Sequence, residues 1–211
     1  MSGVDDLLKR DEKRWEAGRR RAAGIEDRGL GPAIRCYYTR YLPAGALALA
    51  AAVAGTGLLA SLEGPVDWEL VATLGILCAA VGAGIGGIVY NRRWIAPAAS
   101  AGRVDVMLSL DDAERKSLRR QIRGKEPIDP RWIDVTRAAA VQLRRGLATQ
   151  LMLFPIQALI FLPQVMHWGG LFSWLFAAAT LLMVAGLVYT YRDFLRTGEC
   201  LARTQGIAPV A

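Results

Sequence analysis

Four long stretches of the chain carry no charged residue, and they alternate with segments that are rich in charge. They cover residues 42–62, 70–90, 147–166 and 171–191, and each is 20 or 21 residues long. Because an α-helix rises about 1.5 Å per residue, each stretch would span about 30 Å as a helix, which matches the hydrocarbon core of a bilayer. The pattern predicts an all-α integral membrane protein with four transmembrane helices.

The spacing of these stretches predicts how the helices pair. The linkers at residues 63–69 and 167–170 are so short that the helices they join must be antiparallel neighbours. The predicted membrane part is therefore a four-helix bundle made of two hairpins. The expected organisation has five segments, of which the second and fourth are the transmembrane hairpins: residues 1–41, 42–90, 91–146, 147–191 and 192–211.

Basic residues predict the orientation of the bundle. All 26 Lys and Arg residues lie in the first, third and fifth segments, and none lies in the two short linkers. Glu63, Asp67 and Glu69 make the first linker acidic. Because basic loops stay in the cytoplasm, both termini are expected there, with the protein in the inner (plasma) membrane. The net charge of +7 therefore follows from topology, and a nucleic-acid partner is not expected.

The charged segments also predict helices. Residues 2–22 begin with acids and end with bases, as a helix dipole favours. This helix either lies in solvent or docks on a partner. Ser109 is expected to cap a helix over residues 110–123, and Gly124 to end it. Asp129 followed by Pro130 predicts the start of a second helix that runs into the third membrane stretch. The two would form a cytoplasmic helical hairpin.

One face of the predicted helix 110–123 is basic. At about 100° per residue, five bases fall within an arc of roughly 140°. They are Arg115, Lys116, Arg119, Arg120 and Arg123. Three uses of this face are open: a solvated surface, contact with anionic lipid headgroups, and contact with nucleic acid. The sequence offers no aromatic stacking platform beside the bases, which disfavours the last use.

A glycine-rich run in the second membrane stretch predicts close helix packing. Residues 82–87 match the pattern GxGxxG, but the run lies inside an apolar stretch and not between a strand and a helix, so it is not a dinucleotide site. Small residues four apart let helix backbones approach in lipid. The residues expected to pack are Ala79, Gly82, Ala83, Gly86 and Gly87, against Ala46, Ala50 and Ala54 of the first stretch.

The third membrane stretch carries a polar stripe. Gln150, Gln157 and Gln164 are seven residues apart and so share one face of a helix. Pro155 and Pro163 lie between them and leave backbone carbonyls without a donor. The stripe either forms hydrogen bonds inside the bundle, lines a path for a small solute, or contacts another copy of the chain.

Catalytic and metal-binding patterns are missing from the sequence. Cys36, Cys78 and Cys200 are far apart, and His167 is the single histidine. No disulfide, metal or cofactor is therefore expected. The membrane stretches hold no ionisable acid or base, and the chain has no GxSxG, HExxH or P-loop motif.

The segment from Leu108 to Arg145 contains Leu-Ser-Leu-Asp-Asp-Ala-Glu-Arg and Arg-Arg-Gln-Ile-Arg-Gly-Lys-Glu-Pro-Ile-Asp-Pro. It resembles a cytoplasmic segment of small, uncharacterised actinobacterial multi-pass membrane proteins. The resemblance implies a bacterial inner-membrane location and brings no catalytic residue.

The sequence thus predicts a non-enzymatic membrane protein that acts by interaction or regulation. The alternative is an oligomeric small-solute channel or transporter lined by the third helix, and a membrane enzyme comes third. The expected partners are the lipid bilayer, anionic lipids, and another membrane protein or a second copy.

Overall fold

The computed structural model describes the backbone of residues 2–62, 64, 65, 67–100, 102, 104–167 and 171–205. It describes their side chains outside residues 2–9, 162–167, 171 and 173. The fold is all-helical, as predicted. The helices are α1 (Ser2–Ala22), α2 (Leu30–Cys36), α3 (Leu42–Ser61), α4 (Trp68–Tyr90), α5 (Ala96–Ala98), α6 (Asp112–Ile122), α7 (Ile133–His167) and α8 (Leu171–Gln205). Two-residue strands, β1 (Glu26–Asp27) and β2 (Ala99–Ser100), pair antiparallel.

Three helical stretches are long and apolar enough to cross a membrane within the part of the chain that the structure describes. They run over Leu30–Ser61, Trp68–Ala98 and Trp174–Gln205. Each overlaps one of the predicted stretches. The fourth predicted stretch, residues 147–166, lies within α7, and the side chains at its end fall outside the described residues.

Two turns of wider π-helix precede prolines in otherwise continuous helices. Tyr37–Tyr41 comes directly before Leu42 and Pro43, and Asn91–Ile95 comes directly before α5, which contains Pro97. Proline has no N–H, and its ring collides with the carbonyl four residues earlier in a regular α-helix. A wider turn absorbs the irregularity without ending the helix. The chain therefore continues from α2 into α3, and from α4 into α5.

The chain divides into two compact units. The polar unit comprises Met1–Leu30, Ala96–Ala148 and Tyr191–Ala211, and the apolar unit comprises Gly31–Ile95 and Thr149–Thr190. The polar unit thus gathers most of the three charged segments of the sequence. Its core is fully buried, and includes Leu30, Val106, Leu118, Ile122, Ile133 and Cys200.

Helix α1 packs inside the polar unit through one aromatic residue. The Trp15 ring stacks on Trp132 with centroids 5.2 Å apart, and its Nε1 donates to Glu114 at 3.0 Å. Gly18 lies close to Ser109 and Val135, where a side chain would be crowded. The expectation that residues 2–22 form either a free solvated helix or a partner-docking helix therefore needs correction, because its packing partner is the chain itself.

A buried ion pair joins the start of α2 to α7 and α8 within the polar unit. Asp27 Oδ1 accepts hydrogen bonds from the backbone N–H groups of Gly29 and Leu30, and its Oδ2 pairs with the Arg144 guanidinium. The two side chains are only 14% and 15% exposed. The guanidinium also lies 4.7 Å above the Phe194 ring. One carboxylate thus caps a helix and neutralises a buried charge.

The helix starts in the polar unit follow the sequence with one correction. Asp111, not Ser109, caps α6, and it forms a capping box with Glu114. The Ser109 hydroxyl instead donates to the carbonyl of Val106 in the preceding 3-10 turn, Val106–Ser109. Gly124 ends α6 with φ of 72°, a left-handed conformation that suits glycine. Asp129 caps the short 3-10 turn Pro130–Trp132 that leads into α7, as predicted.

Candidate functional site

Helices α3 and α4 meet at two glycines that were not among the predicted packing residues. A side chain at Gly57 would collide with the Trp68 ring, and one at Gly75 would collide with Val53. These are the positions where α3 and α4 approach most closely among the glycines of this pair. Gly75 belongs to the same four-residue series as Ala79, Ala83 and Gly87, so extending the series one step back would have found it.

The predicted packing residues divide into two groups. Ala79 and Gly87 are buried, and Gly87 lies near the Met152 carbonyl of α7. Gly82 and Gly86 are exposed, and a Cβ at either would meet no atom within 4 Å among the described residues. The prediction that Gly82 and Gly86 hold the helices together is therefore wrong. They have no facing neighbour, since the α3 residues opposite are also small.

The small residues instead leave a groove between α3 and α4. The space has a volume of about 740 Å³ and is almost wholly apolar. Its walls include Gly45, Ala46, Ala50, Gly82, Ala83 and Gly86, and Leu159 of α7 also contributes. Volumes of roughly 300–1,000 Å³ with apolar walls and a few polar groups are typical of small-ligand sites. We call this space the small-residue groove.

Aromatic residues from both π-helical turns gather at one end of the groove. Tyr90 is the centre of the cluster, with ring centroids 5.2 Å from Tyr37, 4.9 Å from Tyr41 and 6.4 Å from Trp94. Tyr38 packs edge-on against Tyr37 at 5.4 Å. Tyr37, Tyr41 and Tyr90 line the groove. These rings give the otherwise apolar groove a polar end.

The hydroxyl groups of this cluster are not equally satisfied. The Tyr38 hydroxyl donates to the Leu151 carbonyl at 2.6 Å, and the Tyr90 hydroxyl donates to the Ala33 carbonyl at 2.8 Å. Tyr37 is only 5% exposed and lines the groove, yet its hydroxyl has no hydrogen-bond partner among the described residues. A polar group of a buried side chain normally finds a partner, and the Tyr37 oxygen, which has none in the described chain, keeps accessible surface. This hydroxyl is therefore available to a molecule in the groove.

Charge is distributed asymmetrically along the apolar unit. Its arginines are Arg35, Arg40, Arg92 and Arg93, which lie beside the aromatic cluster in sequence. All four are exposed, and none forms an ion pair with another described residue. The acidic residues of the unit are Glu63 and Asp67, between α3 and α4 in sequence, and Glu69 in the first turn of α4. The aromatic end of the groove therefore carries the positive charge of this unit.

The four bases of α6 and Arg123, which directly follows it, do not form one free surface. Arg115 donates to the Met107 carbonyl, Arg120 pairs with Glu126 at 3.0 Å, and Arg123 pairs with Asp193 at 2.9 Å. Lys116 and Arg119 have no such partner among the described residues. A shallow cavity of about 610 Å³ lies over this face, and Lys125 also lines it. The free positive charge is thus smaller than the sequence pattern indicates.

The acid that pairs with Arg120 is itself held in the charged form. The Ser117 hydroxyl donates to Glu126 at 2.7 Å, and this hydrogen bond, with that of Arg120, lowers the pKa of the Glu126 carboxyl. The opposite side of α6 buries Leu118 and Ile122 completely. The apolar side of the helix is therefore occupied by the polar unit, and only its basic side is accessible.

Two of the three glutamines of the stripe lie on the outside of the described chain. Gln150 and Gln157 are exposed and have no hydrogen-bond partner among the described residues. The side chain of Gln164 lies outside the described residues. The interpretation that the stripe forms hydrogen bonds inside a single-chain bundle is therefore wrong for Gln150 and Gln157 within the part of the chain that the structure describes, because both side chains are exposed and unpaired there.

The described residues contain no group of three His, Cys, Asp or Glu side chains that could hold a metal ion. Comparison with protein-family models, with curated proteins and with solved structures finds no match to this chain. The small-residue groove and its aromatic end are therefore the candidate site, and the structure of the chain is the sole basis for this assignment.

Proposed function

We propose that the protein is an inner-membrane protein with four transmembrane helices and both termini in the cytoplasm. We propose further that it acts by binding a membrane component, as an interaction or regulatory protein, rather than by catalysis. Three membrane-capable helical stretches and the continuous α7 over the fourth uncharged stretch support the four spans. The absence of Lys and Arg from the two short linkers supports the orientation.

The small-residue groove is the feature of the structure that best supports a binding function. An open groove in an apolar unit must be filled by apolar material, because empty space loses the contacts that dense packing provides. Bilayer components are the apolar molecules available to such a surface. The groove is therefore the surface through which the protein recognises a component of its membrane.

Filling the groove with a side chain tests this function. The variant Gly82→Leu extends a side chain into the groove from a Cβ position that has no described atom within 4 Å, so the fold should be retained. Gly55→Leu is the matched control, since Gly55 is also exposed in a helix and does not line the groove. Purified protein should melt at a higher temperature when total membrane lipid is added, since a ligand of the folded state stabilises it.

The Gly55→Leu variant should show the same lipid-dependent rise in melting temperature, and Gly82→Leu should show none. At a lipid concentration about 100-fold above the dissociation constant, the stabilisation is about 2.7 kcal/mol. An equal rise in Gly82→Leu would show that the bound component lies elsewhere, and would contradict the proposed function.

The exposed glutamines favour a second candidate function. An amide without a partner is costly in lipid, so Gln150 and Gln157 favour contact between copies of α7 in an oligomer. Such an assembly would place a polar stripe along a path for a small solute. Gln157→Leu should then abolish solute flux in proteoliposomes. If Gln157→Leu changes only stability or oligomeric state, the stripe packs and does not conduct.

A further inference from the structure

We propose that the small-residue groove binds one acyl chain of an anionic glycerophospholipid, with a lipid oxygen accepting a hydrogen bond from Tyr37. This inference rests on the proposed function and names the ligand class of the same site. The Tyr37 hydroxyl faces this groove without an acceptor among the described residues, and the packing of the chain does not explain why a tyrosine stands there.

Tyr37 is positioned by its neighbours and not by its own hydrogen bond. Its ring packs between Tyr38 and Tyr90, and both of these donate their hydroxyl protons to backbone carbonyls. The Tyr37 hydroxyl lies about 4.0 Å from the position that a Cβ would take on Gly87, at the wall of the groove. A larger residue at position 87 would restrict access to this hydroxyl. The Tyr37 hydroxyl is therefore a hydrogen-bond donor at the wall of an otherwise apolar groove.

The acceptor for this donor has to come from the bound molecule. In a transmembrane helix the backbone carbonyls are already engaged by N–H groups four residues later. A helix carbonyl can accept a second hydrogen bond, as Ala33 does from Tyr90, but a carbonyl that has no N–H partner is the better acceptor. A glycerophospholipid has ester carbonyl oxygens directly above its acyl chains, so it offers a free acceptor at the point where its apolar part ends.

The groove is long enough to hold an acyl chain from one leaflet. At the helical rise of 1.5 Å per residue, its wall on α3 runs about 20 Å from Tyr41 to Ala54, and its wall on α4 runs about 33 Å from Trp68 to Tyr90. One leaflet contributes about half of the 30 Å hydrocarbon core. A chain that starts at the aromatic end therefore fits along the groove within its own leaflet.

The exposed arginines select a negative headgroup. Arg40 directly precedes the groove residue Tyr41, and Arg92 and Arg93 follow Tyr90. None of the three forms an ion pair within the described chain. Guanidinium groups bind phosphate oxygens with two hydrogen bonds at once. The tyrosines lie at the depth of the ester groups, and the arginines lie at the level of the phosphate, as amphipathic residues do at membrane interfaces.

Native mass spectrometry of the full-length protein in maltoside micelles tests the assignment. The probes are phosphatidylglycerol and phosphatidylcholine with identical acyl chains, titrated onto lipid-depleted protein. Wild type should bind phosphatidylglycerol severalfold more tightly. Tyr37→Phe should weaken binding of both lipids roughly fivefold, which corresponds to one hydrogen bond of about 1 kcal/mol. Tyr189→Phe is the matched control, since Tyr189 is exposed and does not line the groove.

Two further variants separate the parts of the site. Replacement of Arg40, Arg92 and Arg93 by Gln should abolish the preference for phosphatidylglycerol while phosphatidylcholine still binds. Gly82→Leu should abolish binding of both lipids, and Gly55→Leu should have no effect. Each variant is compared after its melting temperature without lipid is shown to match wild type.

The outcomes distinguish this inference from the proposed function. Loss of lipid binding in Gly82→Leu with no effect of Tyr37→Phe would overturn the polar anchor but keep the groove as a binding surface. Equal affinity of wild type for the two lipids would overturn the anionic headgroup. Unchanged lipid binding in Gly82→Leu would overturn both proposals. A wild-type dimer that carries no lipid and dissociates in Gly82→Leu would show that a second copy occupies the groove.

Discussion

The Tyr38 hydroxyl donates a 2.6 Å hydrogen bond to the backbone carbonyl of Leu151. Leu151 lies four residues before Pro155, which has no N–H to offer that carbonyl. Tyr38 thus supplies the donor that the proline removes, and α7 continues through Pro155 without a break. Within the apolar unit, a side chain outside α7 therefore satisfies a backbone carbonyl of α7 that lacks its usual N–H donor.

This relationship predicts a coupling between two substitutions. Tyr38→Phe leaves the Leu151 carbonyl without a donor in an apolar setting, so it should destabilise the protein by about 1–3 kcal/mol. Pro155→Ala restores an N–H for the same carbonyl. Tyr38→Phe should therefore cost less in the Pro155→Ala background, as measured by unfolding in mixed detergent micelles. Additive effects of the two changes would show that Tyr38 acts only through ring packing.

Replacing glycines of α3 and α4 by alanine should have opposite effects on stability, depending on whether the glycine contacts the other helix. Gly75→Ala should destabilise the protein, because the new methyl group collides with Val53. Gly82→Ala and Gly55→Ala should stabilise it by about 0.5–1 kcal/mol, since alanine favours a helix and both sites are open. Val53→Ala should rescue Gly75→Ala. Melting temperatures in one detergent decide this, and equal effects at positions 75 and 82 would contradict the assignment.

The buried ion pair of the polar unit predicts a rescue. Arg144→Met leaves the Asp27 carboxylate buried without its partner, and should cost about 3–5 kcal/mol. Asp27→Asn keeps an oxygen that can cap α2 and removes the charge. The double variant should therefore be more stable than Arg144→Met alone, as measured by urea unfolding of the full-length protein. A double variant that is no better than the single one would show that the charge of Asp27 is well solvated.

The proposed topology predicts the reactivity of two introduced cysteines. Cys200 cannot report on topology because it is fully buried, so Cys36 and Cys78 are replaced by Ala and Cys200 is left in place. Lys13→Cys and Gly64→Cys put thiols at exposed positions of α1 and of the linker between α3 and α4. In intact spheroplasts a membrane-impermeant maleimide should label residue 64 only. Labelling of residue 13 before permeabilisation would overturn the orientation.

The free bases of α6 predict a salt-dependent contact with anionic lipid. In nanodiscs that contain phosphatidylglycerol, amides of residues 112–122 should exchange more slowly than in phosphatidylcholine nanodiscs. The difference should fade as salt rises, because exposed charges are screened over about 8–10 Å near physiological salt. Replacement of Lys116 and Arg119 by Gln should remove it, whereas Arg123→Gln should mainly destabilise the pair with Asp193. Equal exchange in both lipids would identify α6 as a solvated face.

The sequence predicts helices well where one signal dominates. Uncharged runs of 20 or 21 residues locate the membrane-capable helices, and the residues Gly124, Asp129 and Pro130 locate an end and a start. The prediction failed at Ser109 because two caps compete there. Asp111 has Glu114 three residues later, and that capping box outweighs the serine.

The site itself was only partly predictable. Small residues at four-residue spacing do mark where two helices face each other, but they cannot tell contact from groove. That depends on the residue opposite: Val53 fills the space at Gly75, whereas nothing fills it at Gly82. The role of Tyr37 was not predictable from its neighbours in sequence, because the rings that position it include Tyr90, more than fifty residues away.

The pair formed by Asp27 and Arg144 has a consequence for biosynthesis. The two residues are 117 positions apart, so at about 5–20 residues per second Asp27 leaves the ribosome roughly 6–23 s before its partner. The first helices are translated during this interval while the carboxylate is still unpaired, and the stacking partner of Trp15 is also made late. Completion of the polar unit is thus a late event in translation. A chain arrested before Arg144 lacks the partner of Asp27, so its N-terminal region should be more accessible to proteases than that of a finished chain.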